Sequence, residues 1–152
     1  MKIIFLDIDG VLRVIPKDFD KYGGDFHETF IDNLRNIIQK TEAYIVISAS
    51  MRTFGLSYMI KMWKYRNYPG EIIGITPSSE ERHRGKEIKF WLDNCIDPIE
   101  SYVILDDDTD MLLEQLNHFV KTSDNKHHKE SIDIGYGLTK ECAEQAIEIL
   151  LK

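Results

Sequence analysis

Short apolar segments that end abruptly at polar residues restrict the fold of this sequence more than any other feature. Each is four or five residues long and rich in Ile, Val or Phe, which is typical of buried strands. The segments are Lys2–Leu6, Ala43–Ile47, Glu71–Ile75 and Tyr102–Leu105. His118–Lys121 is predicted to form a fifth strand.

Segments with helical spacing of apolar residues alternate with these strands. They predict a parallel five-stranded sheet with helices on both faces, a three-layer doubly wound, Rossmann-like α/β fold. A chain of 152 residues suits a single domain over 1–152, and the polar residues 123–137 are expected to form a loop. Helices are predicted over Glu28–Lys40, Phe54–Tyr65, Glu87–Leu92 and 111–116, and from the cap at Thr139 to about Leu151.

Charge is unevenly distributed along the chain. The formal net charge is −7, which argues against broad, non-specific binding of nucleic acid. Residues 51–90, however, contain eight Lys and Arg against four Glu, which fits either solvated helix faces or a surface for an anionic substrate. No apolar run reaches the roughly 18–20 residues that cross a bilayer, and the apolar start is too short for a signal peptide. A cytoplasmic location without membrane contact is therefore expected.

Polar side chains follow the predicted strands at the point where each strand ends. The carboxyl ends of parallel strands meet at one edge of a sheet, so these side chains are expected to lie close together. A basic segment, Arg82–Lys86, precedes the fourth strand. The polar residues at this edge are Asp7, Asp9, Ser48, Ser50, Asp106, Asp107, Asp108 and Asp110.

Several carboxylates at one edge of a sheet repel one another, and their burial is costly. A hard divalent cation relieves that repulsion, and a few carboxylates with open water positions suit Mg²⁺. A metal with a nearby basic residue and hydroxyl neutralises the charge on phosphoryl oxygens. The sequence therefore predicts a Mg²⁺-dependent phosphate site.

The spacing of Asp7, Asp9 and Gly10 suggests the reaction. A nucleophilic carboxylate on Asp7 could attack phosphorus and form an acylphosphate, which divides one difficult hydrolysis into two easier steps. Asp9 could first protonate the leaving group and then activate water. Gly10 permits the tight turn that brings the second carboxyl within reach.

These residues resemble the four motifs of the haloacid dehalogenase (HAD) superfamily of phosphatases. The segment 7–12 resembles motif one, Ser48 motif two, Arg84 or Lys86 the motif-three cation, and 104–110 motif four. All four occur in the expected order at the expected strand ends, so the resemblance covers nearly the whole chain. It implies a HAD-type fold and a phosphoric monoester hydrolase.

A narrower resemblance is to the small HAD domain of "Swiss Army Knife" RNA repair proteins. It rests on segments 45–52, 73–77, 84–92 and 137–139. Two positions depart from that pattern: Met51 stands where Trp is frequent, and Arg13 stands where Asn is frequent. These departures concern substrate contacts and leave the core chemistry intact.

The resemblance implies a role for each acid. Asp7 is expected to be the nucleophile and a Mg²⁺ ligand, and Asp9 the acid/base, binding the metal through its backbone carbonyl. Asp106 is expected to be the third metal ligand. Either Asp107 or Asp110 is expected to support the metal or a metal-bound water.

The resemblance also implies the phosphate-binding residues. Ser48 is expected to hydrogen-bond the phosphate, with Ser50 as an alternative. Arg84 is the first choice for the fixed cation because it directly precedes the family-like Gly-x-Glu-Ile, and Lys86 is the second. Arg52 is expected near the same edge.

No room remains for a cap domain between the motifs. Only 38 residues separate Asp9 from Ser48 and 35 separate Ser48 from Arg84, and a helix and strand already occupy them. An open, capless site favours large substrates, such as nucleic-acid ends or phosphoproteins, or needs a partner to exclude water. The expected substrates are nucleotides or nucleic-acid terminal phosphates. Two interpretations of the aromatic residues in the basic stretch remain open: they stack on bases, or they are ordinary half-buried residues. These residues are Tyr58, Trp63, Tyr65 and Tyr68.

Two other functions remain open. The first is a phosphoacceptor signalling module that resembles a response-regulator receiver. Receivers place the accepting Asp after the middle strand of the chain, whereas here the third strand is followed by Thr76-Pro77. The second is a binding domain that keeps the fold without catalysis.

Overall fold

The computed structural model describes residues 1–122 and 136–152 and contains a five-stranded sheet beside a small hairpin. The strands in chain order are β1 (Lys2–Leu6), β2 (Phe19–Asp20), β3 (Gly23–Gly24), β4 (Tyr44–Ile47), β5 (Ile72–Ile75), β6 (Ser101–Asp106) and β7 (Phe119–Lys121). The helices are α1 (Glu28–Thr41), α2 (Leu56–Tyr65), α3 (Arg84–Asn94) and α4 (Lys140–Leu151). Two 3-10 helices cover Ser50–Phe54 and Leu113–His118.

The large sheet has the order β5-β4-β1-β6-β7, and every neighbouring pair is parallel. The first strand of the chain is therefore the central one. Its residues 3–6 are fully buried, as expected of a strand covered on both faces. The predicted parallel five-stranded sheet is confirmed.

The two faces of the sheet carry different helices. Ile4 and Leu6 of β1 belong to a core shared with α1, α2 and α4. Ile3 and Phe5 point the other way, and the Phe5 ring contacts Trp91 of α3 with centroids 5.5 Å apart. This alternation confirms the three-layer arrangement with helices on both faces.

Local sequence signals explain how the helices begin. The imidazole of His27 accepts a hydrogen bond from the N–H of Thr29 at the start of α1. The hydroxyl of Thr139 accepts one from the N–H of Cys142, so the predicted cap of α4 is confirmed. Among the described residues, no helix combines the length and the apolar composition that crossing a bilayer requires.

Some boundaries differ from the sequence prediction. The helix predicted over 54–65 is divided at Gly55, whose φ of 96° ends the 3-10 helix before α2 begins. Helix α3, Arg84–Asn94, contains the predicted helical segment Glu87–Leu92 and begins at Arg84 because His83 caps it. The short helix predicted over 111–116 is a 3-10 helix at Leu113–His118.

The β2–β3 hairpin was not predicted from the sequence. Its two-residue strands are too short to show the alternation that indicates a strand, and a turn from Asp20 to Gly23 joins them. Most of the loop predicted over 123–137 lies outside the described residues.

Candidate active site

Backbone hydrogen bonds extend the sheet by one residue and fix the polar residues at its edge. The N–H of Asp7 donates to the carbonyl of Leu105 on β6 at 3.0 Å. The N–H of Ser48 donates to the carbonyl of Leu6 on β1 at 2.9 Å. Asp106 is itself the last residue of β6. Three predicted site residues therefore stand on adjacent strands in fixed positions.

Three carboxylates meet at this edge. One oxygen each from Asp7, Asp106 and Asp107 lies within 4.8 Å of the others. Asp7 and Asp106 are buried, with 8% and 1% of their surface exposed. The structure brings together these three of the predicted metal ligands.

The backbone anchors one oxygen of each buried acid. The Oδ1 of Asp7 accepts a hydrogen bond from the N–H of Ile8 at 2.8 Å, and the Oδ1 of Asp106 accepts one from the N–H of Asp108 at 3.0 Å. The Oδ2 of Asp106 is buried and has no hydrogen bond from the described residues. An anionic oxygen without a hydrogen bond is costly inside a protein, so this atom is suited to a cation.

The pKa values of Asp7 and Asp106 also indicate that a cation fits this site. Burial, and after it the negative charge of Asp106, raise the pKa of Asp7 to about 9. Burial also raises the pKa of Asp106 to about 6, although the N–H of Asp108 and the charge of Arg84 oppose the rise. Two buried carboxylates this close do not both ionise at neutral pH without added positive charge. The all-oxygen donor set fits a hard dication such as Mg²⁺.

Gly10 lets the third carboxylate approach. Its φ is 82°, and a Cβ at this position would collide with the carboxylate of Asp107. The carbonyl of Gly10 accepts a hydrogen bond from the hydroxyl of Thr122 at 2.7 Å. Thr122 follows β7 and is fully buried, so it holds the turn after β1 against the sheet. Thr122 was not predicted to be a site residue. Its position directly after the fifth strand is the only feature of the sequence that could have indicated this role.

Asp9 lies outside the acidic cluster. Its side chain is 64% exposed and forms an ion pair with Arg13, with Nε and Oδ1 2.7 Å apart. Sequence reasoning noted Arg13 as a departure from the family pattern but did not predict this pair.

The side chain of Arg84 lies between Ser48, the residue expected to bind phosphate, and the acidic cluster. Its Nη1 donates to the hydroxyl of Ser48 at 3.5 Å, and its Nε is 3.5 Å from the Oδ2 of Asp106. Lys86 instead forms a surface ion pair with Glu81. Of the two candidate cations, the structure places Arg84 at the site.

Asp110 fixes the start of α3 rather than joining the cluster. Its carboxylate accepts a hydrogen bond from the N–H of Arg84 at 2.9 Å, and its carbonyl accepts one from Gly85 at 2.9 Å. The N–H groups of Lys86 and Glu87 are bonded to His83. Because the N–H groups of this first turn are occupied, the start of α3 offers none of them to an anion at this edge.

A second arginine is held beside the first by a buried acid. The Nη2 of Arg52 lies 2.5 Å from the Oε2 of Glu87, whose side chain is 2% exposed. Arg52 also donates to the hydroxyls of Ser78 at 3.2 Å and Thr76 at 3.4 Å. Burial lowers the pKa of Arg52, Glu87 opposes this, and the charge of Arg84 adds to the lowering.

Glu87 is a site residue that the sequence did not indicate, because a Glu in the first turn of a helix is usually exposed. Glu87 is distinguished from an ordinary helix residue by its burial, which only the structure shows. Ser50 is exposed, and its carbonyl accepts a hydrogen bond from Thr53. Of the two serines, Ser48 is the one in contact with Arg84.

Comparison with known protein families gives one match. The model of the HAD domain in Swiss Army Knife RNA repair proteins matches residues 3–127, well over half of the chain. The chain belongs to this family. A search of curated proteins and a search of solved structures gave no match.

The matched part of this HAD domain contains the whole edge described above. It extends from β1 past β7 and includes Asp7, Ser48, Arg84 and Asp106, whereas α4 lies outside it. The suspected family membership is confirmed.

Proposed function

We propose that this HAD domain is a Mg²⁺-dependent phosphohydrolase that works through an aspartyl-phosphate on Asp7. The observation that carries the proposal is the cluster of Asp7, Asp106 and Asp107, with a buried Asp106 oxygen lacking a hydrogen bond beside Arg84. Mg²⁺ bound by these three acids would supply positive charge at the transferred phosphoryl group.

In the first step, a carboxylate oxygen of Asp7 attacks phosphorus and forms an acyl-phosphate bond. The bond between phosphorus and the leaving oxygen breaks, and that oxygen takes a proton from Asp9. Asp9 is paired with Arg13 in the structure, so it must leave this partner and be protonated before the step.

In the second step, Asp9 acts as a carboxylate. It takes a proton from a water molecule whose oxygen attacks phosphorus. The bond between phosphorus and Asp7 breaks, which restores the carboxylate and releases inorganic phosphate. In both steps Arg84 and Ser48 bind phosphoryl oxygens, which supports charge that develops in the transition state.

The family to which the chain belongs supports a substrate class. Its description as a domain of RNA repair proteins supports a nucleic-acid terminal phosphate, with free nucleotides as the smaller alternative. A cytoplasmic location and a single domain over residues 1–152 remain predictions from the sequence.

Hydrolysis of an aryl phosphate by the purified protein tests the proposal. We expect turnover with Mg²⁺, none with EDTA, and none for Asp7→Asn or Asp7→Ala. The exposed Asp18→Asn is the matched control and should retain wild-type turnover. Turnover by both Asp7 variants would show that Asp7 is not the nucleophile.

The order of the strands argues against the receiver-like alternative. Numbered along the chain, the five strands lie in the order 3-2-1-4-5, whereas receiver-like sheets have the order 2-1-3-4-5. A phosphorylated Asp7 that lasts for hours would favour the receiver-like function. Mg²⁺ binding without hydrolysis of any phosphate ester would favour a binding domain.

A further inference from the structure

A row of aromatic rings runs along α2 and the β2–β3 hairpin. Phe54 stacks on Tyr58 with centroids 4.8 Å apart, and Tyr22 of the hairpin meets Tyr58 at 5.2 Å. Tyr22 also meets Tyr65 at 5.5 Å, and the ammonium of Lys21 lies 4.5 Å from the centre of the Tyr65 ring. We call Phe54, Tyr58, Tyr22 and Tyr65 the aromatic row.

The two ends of the aromatic row are exposed to solvent. Phe54 is 62% exposed and Tyr65 is 59% exposed. By contrast, Trp63 is buried and Tyr68 half-buried, packed around Phe26. The two middle rings, Tyr22 and Tyr58, are half-buried and pack against the core, so each presents only part of its surface. Exposed aromatic surface at both ends of one row suits a site of interaction.

The part of the aromatic row on residues 51–70 is positively charged although the chain is acidic. Residues 51–70 contain four Lys and Arg and no Asp or Glu, within a chain of net charge −7. Arg52 is paired with Glu87, and Arg66 with Asp20 of the hairpin. Among the described residues, neither Lys61 nor Lys64 has an ion pair. Lys61 follows Tyr58 by three residues and precedes Tyr65 by four, so it shares their helix face.

The aromatic row begins beside the active site. Phe54 follows Arg52 by two residues in the same 3-10 helix, an axial distance of about 4 Å. The ten residues of α2 then carry the row a further distance of about 15 Å away from the sheet edge. This length suits a few nucleotides, the lower end of known single-strand sites.

We propose that the aromatic row binds the bases of a single-stranded nucleic acid whose terminal phosphate lies at Asp7. This proposal rests on the proposed function and names the surface that holds the strand. The rings accept any base by stacking, and Lys21, Lys61 and Lys64 are placed to neutralise backbone phosphates.

Two ring variants and one control test the proposal. The probe is a short fluorescent single-stranded oligonucleotide with a terminal methylene phosphonate, which cannot be hydrolysed. Its Kd is measured by anisotropy in the presence of Mg²⁺. We expect Phe54→Ala and Tyr65→Ala each to raise the Kd between about fivefold and a hundredfold. The control is Phe90→Ala on α3, another aromatic residue that is 58% exposed, and it should bind as the wild type does.

A second substitution tests the charge. Lys61→Ala should weaken binding of the same oligonucleotide and reduce its dependence on salt concentration. The KM and kcat for a small aryl phosphate should stay at wild-type values in the Phe54, Tyr65 and Lys61 variants, which would show that they fold and that the site is intact.

Each outcome separates this proposal from the proposed function. Binding that depends on the rings, without hydrolysis of any phosphate, would support the aromatic row and refute the hydrolase. Hydrolysis of aryl phosphate with no oligonucleotide binding by the wild type would overturn the aromatic row and leave the hydrolase. Equal binding by wild type, Phe54→Ala and Tyr65→Ala would also overturn it and favour a protein partner for these rings.

Discussion

The guanidinium of Arg13 holds the carboxylate of Asp9 through two hydrogen bonds, Nε to Oδ1 at 2.7 Å and Nη2 to Oδ2 at 3.1 Å. This pair keeps the carboxylate of Asp9 apart from the three clustered acids. The proposed first step needs Asp9 protonated, so breaking this pair is part of its cost.

Replacing Arg13 should therefore change the rate in a defined direction. An exposed ion pair is worth up to about 1 kcal/mol, so Arg13→Gln should raise kcat by at most about fivefold for a substrate with a poor leaving group. The rise should be smaller for an aryl phosphate, whose leaving group needs less protonation. A loss of kcat with both substrates would show that Arg13 positions Asp9 for the reaction instead of restraining it.

The ion pair between Arg52 and Glu87 predicts a loss of stability. Glu87→Gln leaves a largely buried guanidinium without its anion, which should lower the free energy of unfolding by about 3–5 kcal/mol. The matched control is Glu81→Gln, which removes an exposed acid paired with Lys86 and should leave the free energy of unfolding nearly unchanged. Urea unfolding measures both. Similar small losses in the two variants would show that the buried pair contributes little.

The sequence left open whether Asp107 or Asp110 supports the metal, and substitutions of these two acids should have different effects. Asp107 lies in the acidic cluster, so Asp107→Asn should weaken Mg²⁺ binding in calorimetry. Asp110 holds the start of α3 beside Arg84, so Asp110→Asn should leave Mg²⁺ binding unchanged and raise the KM for an aryl phosphate. Its loss of stability should be about 0.5–2 kcal/mol, as for a helix cap. The reverse pattern would make Asp110 the metal ligand.

The raised pKa of Asp7 predicts how stability depends on pH when metal is removed. Its pKa rises from 3.8 to about 9 on folding, so folding favours the protonated form. The contribution to stability is full below about pH 4 and is lost as the pH rises towards 9. In EDTA at pH 8, Asp7→Asn should unfold at a temperature at least about 2–4 °C above wild type, the shift for 1 kcal/mol.

The controls for this pH dependence are the added metal and a second acid. Mg²⁺ should raise the unfolding temperature of the wild type and remove most of its difference from Asp7→Asn, because the cation stabilises the ionised cluster. Asp18→Asn, an exposed acid, should follow the wild type at every pH. A wild-type melting temperature in EDTA that does not fall between pH 5 and pH 9 relative to Asp7→Asn would contradict the argument.

The sequence predicted the parts of the site that depend on strand ends. Asp7, Ser48 and Asp106 follow or end apolar segments, and parallel strands bring such positions together whatever the loops do. The alternation of strands and helices also predicted the parallel sheet and the helices on both of its faces. A strand that is buried on both faces is a continuous apolar run, which can be recognised in the sequence.

The parts that the sequence did not predict depend on side-chain packing. From its position in the first turn of α3, Glu87 would be expected to be an ordinary exposed acid. It is a buried anion because Arg52, which lies on another element, pairs with it. The choice between Arg84 and Lys86 depended on where α3 begins, since two residues, about half a turn, separate the residue at the site from the one in a surface ion pair. The β2–β3 hairpin and the pair of Asp9 with Arg13 are local loop geometry, for which hydrophobic periodicity gives no signal.

Covalent phosphorylation of Asp7 tests the central claim most directly. The wild type is mixed with an aryl phosphate and Mg²⁺, quenched in acid during turnover and digested, and the peptides are mapped by mass spectrometry. We expect one added phosphoryl group on the peptide that contains Asp7, sensitive to hydroxylamine and absent with EDTA. Steady turnover with no modified Asp7, or the phosphoryl group on another residue, would contradict it.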